Sequence, residues 1–485
     1  MKAFFVLIFF AVATSALAQE NLTYQRPPEE IAKLVEAPFT PAVTFSPDKN
    51  WMALWDRSSL PTIEELSRPE LRIAGLRINP DNFGPSRNNF FINLKLKSMK
   101  DKKDFAVAGL PAQLQISQVA FSPDSKKLAF LNTTPQQIEL WLVDLATQAA
   151  KKISNQKVNS TLSSAMSWLS DSQSILFLSV ADGKSLPAKN RVPSGPVVEE
   201  NLGRRAPNRT YQDLLKNPYD EALFEYYTTS QLNRVSVQGT ESKIGGPAIY
   251  ISFSPAPDGQ SVLVKKVQRP YSYIVPANSF PQQVDVIGLD GKLIKNVANI
   301  PLADNLPIGF NATLKGPRGH AWRTDAPNTL YWLEAQDGGD PKTKADIRDK
   351  VFTAAMPFTT QAELVSLPLR FGGIMWGNDQ QAWVFENWWS DRKERTYAIN
   401  PSSPGTRKLL FDRSSEDAYG DPGTPVTKVN QYGRSVIQIN KDNSIRLVGD
   451  GASPEGDRPF LDKMDLATGK ITRLWRSEAP YYEYV

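Results

Sequence analysis

The stretch FSPDSKKLAFLN at residues 121–132 combines a tight turn with an apolar run, and its first four residues also occur as FSPD at residues 45–48. Ser122 can open a turn, Pro123 has the φ that the first central position requires, and Asp124 can accept hydrogen bonds from the backbone N–H groups of the turn. The apolar residues on both sides favour extended strands. The stretch therefore predicts a β-hairpin, and its repetition predicts a fold built from similar hairpins.

Looser copies of the aromatic residue and its turn follow along the chain. They are WLSD (168–171), FSPAPDG (253–259), WRTDAP (322–327) and WGND (376–379). The strands expected after the turns are apolar at successive positions: LAFL (128–131), ILFLSV (175–180), SVLV (261–264), TLYWLEA (329–335), AWVF (382–385) and SVIQI (435–439). A strand that is apolar on both faces needs another sheet packed against each side. The hairpins are therefore expected to belong to small sheets stacked face to face.

A third kind of segment accompanies the hairpins. It is a strand in which apolar and polar residues alternate, followed by a turn and a further strand. The clearest examples are IELWLVDLATQAAKKIS (138–154) and PFLDKMDLATGKITRLW (459–475), and with weaker matches there are seven such units. A hairpin with two outer strands, repeated radially, is the blade of a β-propeller. The sequence predicts an all-β fold: a β-propeller of seven four-stranded blades, or of eight with one incomplete, carrying short helical insertions. A β-sandwich is the alternative, but seven units exceed its usual number of strands.

Two stretches near the N-terminus are expected to be helical. PPEEIAKLVEAP (27–38) begins with prolines and places Ile31, Leu34 and Val35 at helical spacing, which predicts a short amphipathic helix. Residues 61–75 (PTIEELSRPELRIAG) also have a helical pattern and would interrupt the first blade.

Two further segments do not match the repeating strand pattern of the blades. Residues 183–222 are rich in Pro, Asn and Arg, and are expected to form a long loop with a short helix from Tyr211 to Lys216. The C-terminal YYEYV (481–485) is expected to begin another strand. Its unpaired edge would invite self-association.

The N-terminus has the pattern of a signal peptide. MKAFFVLIFFAVATSALAQ (1–19) contains a basic residue, an apolar run and ALA (16–18) as an A-x-A cleavage site. The run is too short to cross a bilayer, and no later segment reaches about 18 apolar residues. We therefore predict an exported protein, periplasmic or secreted, with no membrane span after cleavage. The expected domains are a signal peptide at 1–18, an extension with a short amphipathic helix at 19–38, and the β-propeller at 39–485.

Composition excludes several classes of function. The net charge is +5 and is spread along the 485 residues without a patch dense in Lys and Arg, so no nucleic-acid partner is predicted. There is no cysteine, which excludes disulfides, thiolate metal sites and a Cys nucleophile. No spacing typical of metal ligands stands out, so we predict no metal and no cofactor.

Five stretches carry a family resemblance: PPEEIAKLVEAP (27–38), LRIAGLRINP (71–80), GHAWRTDAPNTLYWLEAQDGGDP (319–341), EDAYGDPGTP (416–425) and LWRSEAPYYEYV (474–485). The chain resembles the propeller part of the prolyl oligopeptidase family of serine peptidases, in its glutamyl endopeptidase-like branch. The resemblance covers essentially all of the mature chain. It implies a peptidase in which an α/β-hydrolase domain with a Ser-Asp-His triad follows the propeller, and a preference for glutamate.

The chain departs from this family pattern where the catalytic serine is concerned. The family's serine lies in a G-x-S-x-G elbow, and no such motif occurs in the chain. The nearest match, GDGASPEG (449–456), has Glu455 at a required glycine position and is expected to be a surface loop. The alternating strands and helices of a hydrolase sheet are also missing. We therefore expect the C-terminal α/β-hydrolase domain to be absent and the chain to be inactive alone.

Few other residues are candidates for catalysis. His320 is the single histidine, so any Ser–His mechanism would have to use it, but no nucleophile motif is nearby. We predict that it is structural and hydrogen-bonded between blades, and that the chain has no catalytic residue. The acidic pairs Asp337/Asp340 and Glu199/Glu200 lie near Gly and Pro and are expected to be turn caps and solvated charge.

Two functions remain open. The first is the non-catalytic, substrate-gating portion of an exported serine peptidase, with a peptide substrate bound through a missing or separately encoded hydrolase domain. The alternative is a free-standing β-propeller that binds a protein or ligand without catalysis. Arg77 and Arg323 lie in the matching stretches and Arg318 directly precedes one of them. Arg77, Arg318 and Arg323 are candidate substrate-access residues, since a glutamate side chain calls for a cationic partner. For each of them, an ion pair between blades is the alternative role.

Overall fold

The computed structural model describes residues 23–58, 60–189, 195 and 210–485. These residues form an all-β fold whose antiparallel strands group into seven four-stranded units, numbered here as blades 1–7 in chain order. We call the first strand of each blade the inner strand, because it borders the central channel of a propeller, and the fourth the outer strand. The predicted seven-bladed β-propeller is confirmed.

Blades 1–4 lie in two continuous sheets. Their strands are, in blade 1, Ala42–Phe45, Trp51–Arg57, Phe91–Ser98 and Asp104–Ala106; in blade 2, Ile116–Phe121, Lys127–Thr133, Ile138–Asp144 and Ala149–Lys152; in blade 3, Met166–Trp168, Ser174–Val180, Thr229–Ser236 and the first part of Glu241–Pro255; and in blade 4, the second part of that strand, Ser261–Val267, Gln282–Gly288 and Leu293–Ile300. The shared strand pairs with blade 3 up to Ile249 and with blade 4 from Tyr250 onward.

Blades 5–7 have separate sheets. Their strands are, in blade 5, Pro317–Trp322, Thr329–Ala335, Asp349–Ala355 and Ala362–Leu367; in blade 6, Arg370–Asn378, Gln381–Trp388, Lys393–Ile399 and Arg407–Ser414; and in blade 7, Thr424–Pro425, Ser444–Gly449, Phe460–Asp465 and Ile471–Arg476, with a hairpin of Thr427–Val429 and Ser435–Ile437. The prediction that SVIQI (435–439) is a second strand is wrong. It precedes the blade's first turn, where Asn443 has a φ of 56°, and the second strand follows that turn.

The second strands are buried on both faces, as predicted. In blade 2, Leu128 and Phe130 pack in a cluster with blade 1, whereas Ala129 and Leu131 pack in a cluster with blade 3, and all four are 0% exposed. Successive side chains of a strand point to opposite faces, which produces this division. Because burying a Leu or Phe side chain contributes about 1.5–3 kcal/mol, packing between blades is the main stabilising term of the ring.

Packing around the ring is uneven. Hydrophobic clusters join each blade to the next from blade 1 to blade 7, but within the described residues none joins blade 7 to blade 1. Val43 and Phe45 of blade 1 are 44% and 50% exposed, on the face opposite to Ala42, which packs toward blade 2. The contact between the first and last blades is therefore the least packed in the ring.

The N-terminal helices are shorter than the sequence pattern indicates. The helix expected in 27–38 spans Glu29–Val35. The helix expected over 61–75 is only Ile63–Ser67, and the prediction for the rest of that segment is wrong. Arg68 is extended (ψ 147°) because it precedes a proline, and this ends the helix.

The residues after this helix form a small sheet outside the blades. Its strands are Leu71–Ile73, Leu76–Asn79 and Gly84–Pro85. Ile73 and Ile78 pack there with residues inserted in blades 3 and 4, in a cluster that includes Phe224 and Phe280.

The prediction of a helix at Tyr211–Lys216 is wrong, because these residues are not helical and the helix in the described part of this insertion is Pro218–Thr228. Asn217 caps it by accepting a hydrogen bond from the Asp220 N–H at 3.0 Å. Pro218 takes the first helical position, where its missing N–H costs no hydrogen bond. Residues 190–194 and 196–209 of the insertion lie outside the described residues.

The prediction of a strand at YYEYV (481–485) is also wrong, since no strand occurs in the described residues after Ile471–Arg476. Pro480 has no backbone donor for a strand ladder, and the Glu483 N–H instead donates to Ser477 Oγ at 3.1 Å. The predicted signal peptide lies outside the described residues. Among the described residues, no helix has the length and apolar character needed to cross a membrane.

Candidate functional site

The repeated turns bind neighbouring blades to each other. The backbone N–H of Asp48 in blade 1 donates to Ser125 Oγ of blade 2 at 3.0 Å, and the N–H of Asp124 donates to Ser172 Oγ of blade 3 at 3.0 Å. Within its own turn, the Asp48 carboxylate accepts the Ser46 hydroxyl at 2.6 Å. The turn motif therefore does more than close a hairpin, because it also joins consecutive blades at one end of the channel.

The aromatic residue of the motif adds a second bond between blades. Trp168 Nε1 of blade 3 donates to the Ala120 carbonyl of blade 2 at 3.0 Å. Trp322 Nε1 of blade 5 donates to the Ser254 carbonyl of blade 4 at 2.9 Å. Each acceptor lies on the inner strand of the preceding blade, so the motif lines up the inner strands around the channel. We call the end of the channel that carries these turns the turn face, and the other end the insertion face.

The inner strand of blade 7 is interrupted by a hairpin. Val426 pairs with the second strand through its N–H to the Arg446 carbonyl at 2.9 Å, and its carbonyl accepts the Gln438 N–H at 2.9 Å. Residues 427–437 leave the strand between these two points and pair with each other. We call residues 427–437 the channel hairpin.

The tip of the channel hairpin contacts the turns of blades 4 and 5. Arg434 Nη2 donates to the Pro255 carbonyl at 2.6 Å in blade 4. In blade 5, Asn430 Nδ2 donates to the Thr324 carbonyl at 2.8 Å, and Thr324 Oγ1 donates to the Ser435 carbonyl at 3.1 Å.

A third contact of the tip is made with blade 2. Gly433 lies so close to Pro123 of the FSPD turn that a Cβ on the glycine would be 2.5 Å from the proline Cβ. Because blades 2, 4 and 5 and the hairpin's own blade 7 surround the channel, the tip lies across it at the turn face.

The channel hairpin carries a cation without an acidic partner. No carboxylate of the described residues lies within ion-pair distance of Arg434, and burial lowers the pKa of its guanidinium.

A polar cavity of about 420 Å³ lies beside the hairpin, with Asp325, Asp379 and Lys428 in its wall. The sequence does not predict the hairpin, since NQYGRS (430–435) has the pattern of an ordinary turn.

The three candidate substrate-access arginines lie apart, and each is paired. Arg77 binds Asp213 at 2.8 Å among the insertions, on the protein surface. Arg318 binds the buried Asp349 at 2.6 Å. Arg323 binds its own turn neighbour Asp325 at 2.7 Å, and its guanidinium lies 4.6 Å from the ring centre of Trp376. A role of these arginines in substrate access stays a prediction.

Asp337 caps its turn by accepting the Gly339 N–H at 3.0 Å, as predicted, but it also belongs to a buried ion network, so the prediction that its charge is solvated is wrong. Arg370 of blade 6 binds both Asp337 and Asp349 of blade 5 at 2.8 Å, and Arg348 binds Asp337 at 2.9 Å. Burial acts to raise the pKa of Asp337, but hydrogen bonds from Arg370 and Arg348 outweigh it and hold the pKa below its usual value. The network joins blades 5 and 6.

The other acidic residues give no metal site. Asp340 caps its turn by accepting the Lys342 N–H at 3.0 Å, as predicted. Glu199 and Glu200 lie outside the described residues. Within the ranges that the structure describes, no group of three or more His, Asp or Glu side chains could hold a metal ion.

His320 lies between blades 4 and 5 and is 2% exposed. Its ring stacks on Trp332 with centroids 6.1 Å apart, and Nδ1 has no hydrogen-bond partner among the described residues, so the predicted hydrogen bond between blades is not seen. Burial, with the charge of Lys265 nearby, lowers the pKa of His320 to about 4. The imidazole is therefore neutral at pH 7.

Two curated relatives match almost the whole chain. A protein named probable glutamyl endopeptidase, chloroplastic, from Oryza sativa subsp. japonica is 37% identical over 491 residues, which cover 97% of this chain and 52% of the relative. The protein of the same name from Arabidopsis thaliana is 37% identical over 482 residues, covering 95% of this chain and 50% of the relative. The chain therefore spans about half the length of these relatives.

No family model matches the chain. Among solved structures, the β-propeller domain of the trilobed protease from Pyrococcus furiosus aligns with 92% of this chain and 98% of its own length, at 11% identity and a TM-score of 0.39. The fold assignment itself comes from the strand pairing described above.

Proposed function

The chain belongs to the glutamyl endopeptidase-like branch of the prolyl oligopeptidase family, and we propose that it is the non-catalytic, substrate-gating propeller portion of an exported serine peptidase. The observation that carries the proposal is the 37% identity to probable glutamyl endopeptidases over 97% and 95% of the chain but only 52% and 50% of the relatives. The shared half is the propeller. In this proposal, peptides are the ligands and the propeller controls their access to a hydrolase domain.

The chemistry of His320 supports a non-catalytic role. A general base for a serine nucleophile must lie within hydrogen-bond reach of a hydroxyl. His320 is buried, its Nδ1 has no partner among the described residues, and its pKa of about 4 makes it a weak base. We infer that this histidine contributes to packing between blades.

Export is part of the proposal. The relatives are named as chloroplastic, so they are directed to an organelle. In this chain the apolar run and the ALA (16–18) cleavage site support export through a signal peptide to the periplasm or the exterior.

The test uses purified residues 19–485 with glutamyl and prolyl reporter peptides. We expect saturable binding of an unfolded, fluorescently labelled peptide, no binding of the same sequence inside a folded protein, and no turnover. Turnover that survives purification, responds to serine-reactive phosphonates and disappears in His320→Ala would overturn the non-catalytic assignment. Absence of peptide binding would overturn the gating role.

A further inference from the structure

We propose that the channel hairpin is a fixed plug, which closes the turn face of the channel to polypeptide so that peptides reach the channel from the insertion face. The inference rests on the proposed function, because it concerns the route of a peptide ligand. The position of the plug, however, can be tested without any ligand.

The first argument is where the tip lies. It contacts Pro123 in blade 2, Pro255 in blade 4 and Thr324 in blade 5, and each of these lies in the first turn of its blade or, for Pro255, at the end of the inner strand just before that turn. The hairpin itself extends from blade 7. A segment that touches blades on several sides of the ring occupies the middle of the channel at this face.

The second argument is how the hairpin is held at both ends. At its base, Val436 and Ile437 are 3% and 1% exposed, and Ile437 belongs to the core cluster between blades 6 and 7. At its tip, Arg434 donates a charge-assisted hydrogen bond to the Pro255 carbonyl. Moving segments are drawn from regions with few buried contacts. A hairpin held at base and tip is therefore expected to stay in place when a peptide binds.

A disulfide between the hairpin and a neighbouring turn can distinguish a fixed plug from a moving gate. Because the chain has no cysteine, no native thiol competes with the introduced ones. Thr324→Cys with Ser435→Cys puts one thiol on each of the two residues that are now joined by the hydrogen bond from Thr324 Oγ1 to the Ser435 carbonyl. The control pair is Pro47→Cys with Ser435→Cys, because Pro47 has the turn position in blade 1 that Thr324 has in blade 5, and within the described residues no hydrogen bond joins Pro47 to the hairpin. We expect oxidation to link only the first pair, and peptide affinity to change less than twofold. Loss of peptide binding on oxidation, restored by reduction, would show a moving gate and overturn the proposal.

A second measurement tests the position of the plug without a disulfide. Replacing Val429–Ser435 by Asn-Gly closes the hairpin with a two-residue turn between the paired residues Lys428 and Val436. A single Thr324→Cys should then react with a bulky maleimide at least tenfold faster than in the full-length hairpin, while Pro47→Cys reacts at an unchanged rate. Equal rates for Thr324→Cys with and without the hairpin would overturn the proposal. If no variant binds peptide, the proposed function fails, whereas the labelling result still decides the position of the plug.

Discussion

The backbone N–H of Asp48 donates to the side chain of Ser125 at 3.0 Å, although 77 residues separate them in the chain. Each residue belongs to an FSPD turn, in blade 1 and blade 2 respectively. Asp124 repeats the relationship with Ser172 of blade 3. The turn is therefore both the end of a hairpin and a link between blades, which gives a physical reason for its recurrence along the chain.

The first prediction concerns this link. Ser125→Ala removes the acceptor and leaves the Asp48 N–H without its partner, so we expect a loss of about 1 kcal/mol in the free energy of unfolding. The change is measured by urea denaturation followed by Trp fluorescence. Ser390→Ala is the matched control, because Ser390 is exposed and, among the described residues, its hydroxyl binds only the neighbouring Asp391. Equal stability of the two variants would contradict a stabilising link.

The second prediction concerns the ion network between blades 5 and 6. Arg370→Leu leaves Asp337 and Asp349 buried with one fewer cationic partner each, and breaking a buried pair in this way costs about 3–5 kcal/mol. Arg72→Leu is the control, since Arg72 is half exposed and its pair with Glu70 is a surface ion pair worth at most about 1 kcal/mol. Thermal unfolding of both variants checks this, and a loss no larger for Arg370→Leu than for the control would show that the network is dispensable.

The sequence predicted the blades because their signals are local. The turn of FSPD and the two-sided apolar pattern of LAFL (128–131) lie within a dozen residues of each other, and the structure has both. The bond from Asp48 to Ser125 was not predictable in this way, since it depends on which turns become neighbours in the ring. The same holds for Arg434, whose partner Pro255 is 179 residues away. Local patterns give the repeating unit, whereas contacts at the channel depend on how the units assemble.

The helix boundaries were predicted incorrectly for a different reason. Periodicity indicated a helix across 61–75, but the effect of a single proline on Arg68 was stronger than the pattern. In the insertion, Asn217 and Pro218 are a helix cap and a first helical residue, and this local signal starts the helix after residues 211–216.

The third prediction is a pH dependence of stability caused by His320. Its pKa is about 4 in the folded protein, against 6.5 for an unburied histidine, so between these values the unfolded chain binds the proton and the folded chain does not. The contribution to stability is therefore complete above pH 6.5 and falls as the pH decreases toward 4. The difference of 2.5 units (6.5 − 4) corresponds to about 3 kcal/mol over the whole window.

The measurement is the free energy of unfolding at several values between pH 6.5 and 5, where most carboxylates stay ionised. Because His320 is the single histidine of the chain, the slope can be assigned to it. His320→Gln should remove the slope. A slope that persists in this variant would mean that another group titrates there.

The last prediction concerns the N-terminal helix Glu29–Val35. Ile31, Leu34 and Val35 are 52%, 79% and 46% exposed, and Ala32 is the one buried residue of the helix. A helix of this length is marginal in water without a packing surface, because few of its hydrogen bonds offset the cost of starting it. We expect its amides to exchange with deuterium within seconds at neutral pH, whereas Leu128 in the second strand of blade 2 stays protected for hours. The exchange is repeated at two protein concentrations tenfold apart. Protection that rises with concentration would place this apolar face against a second copy of the chain, and strong protection at both concentrations would mean that the helix docks on the propeller itself, contrary to the prediction.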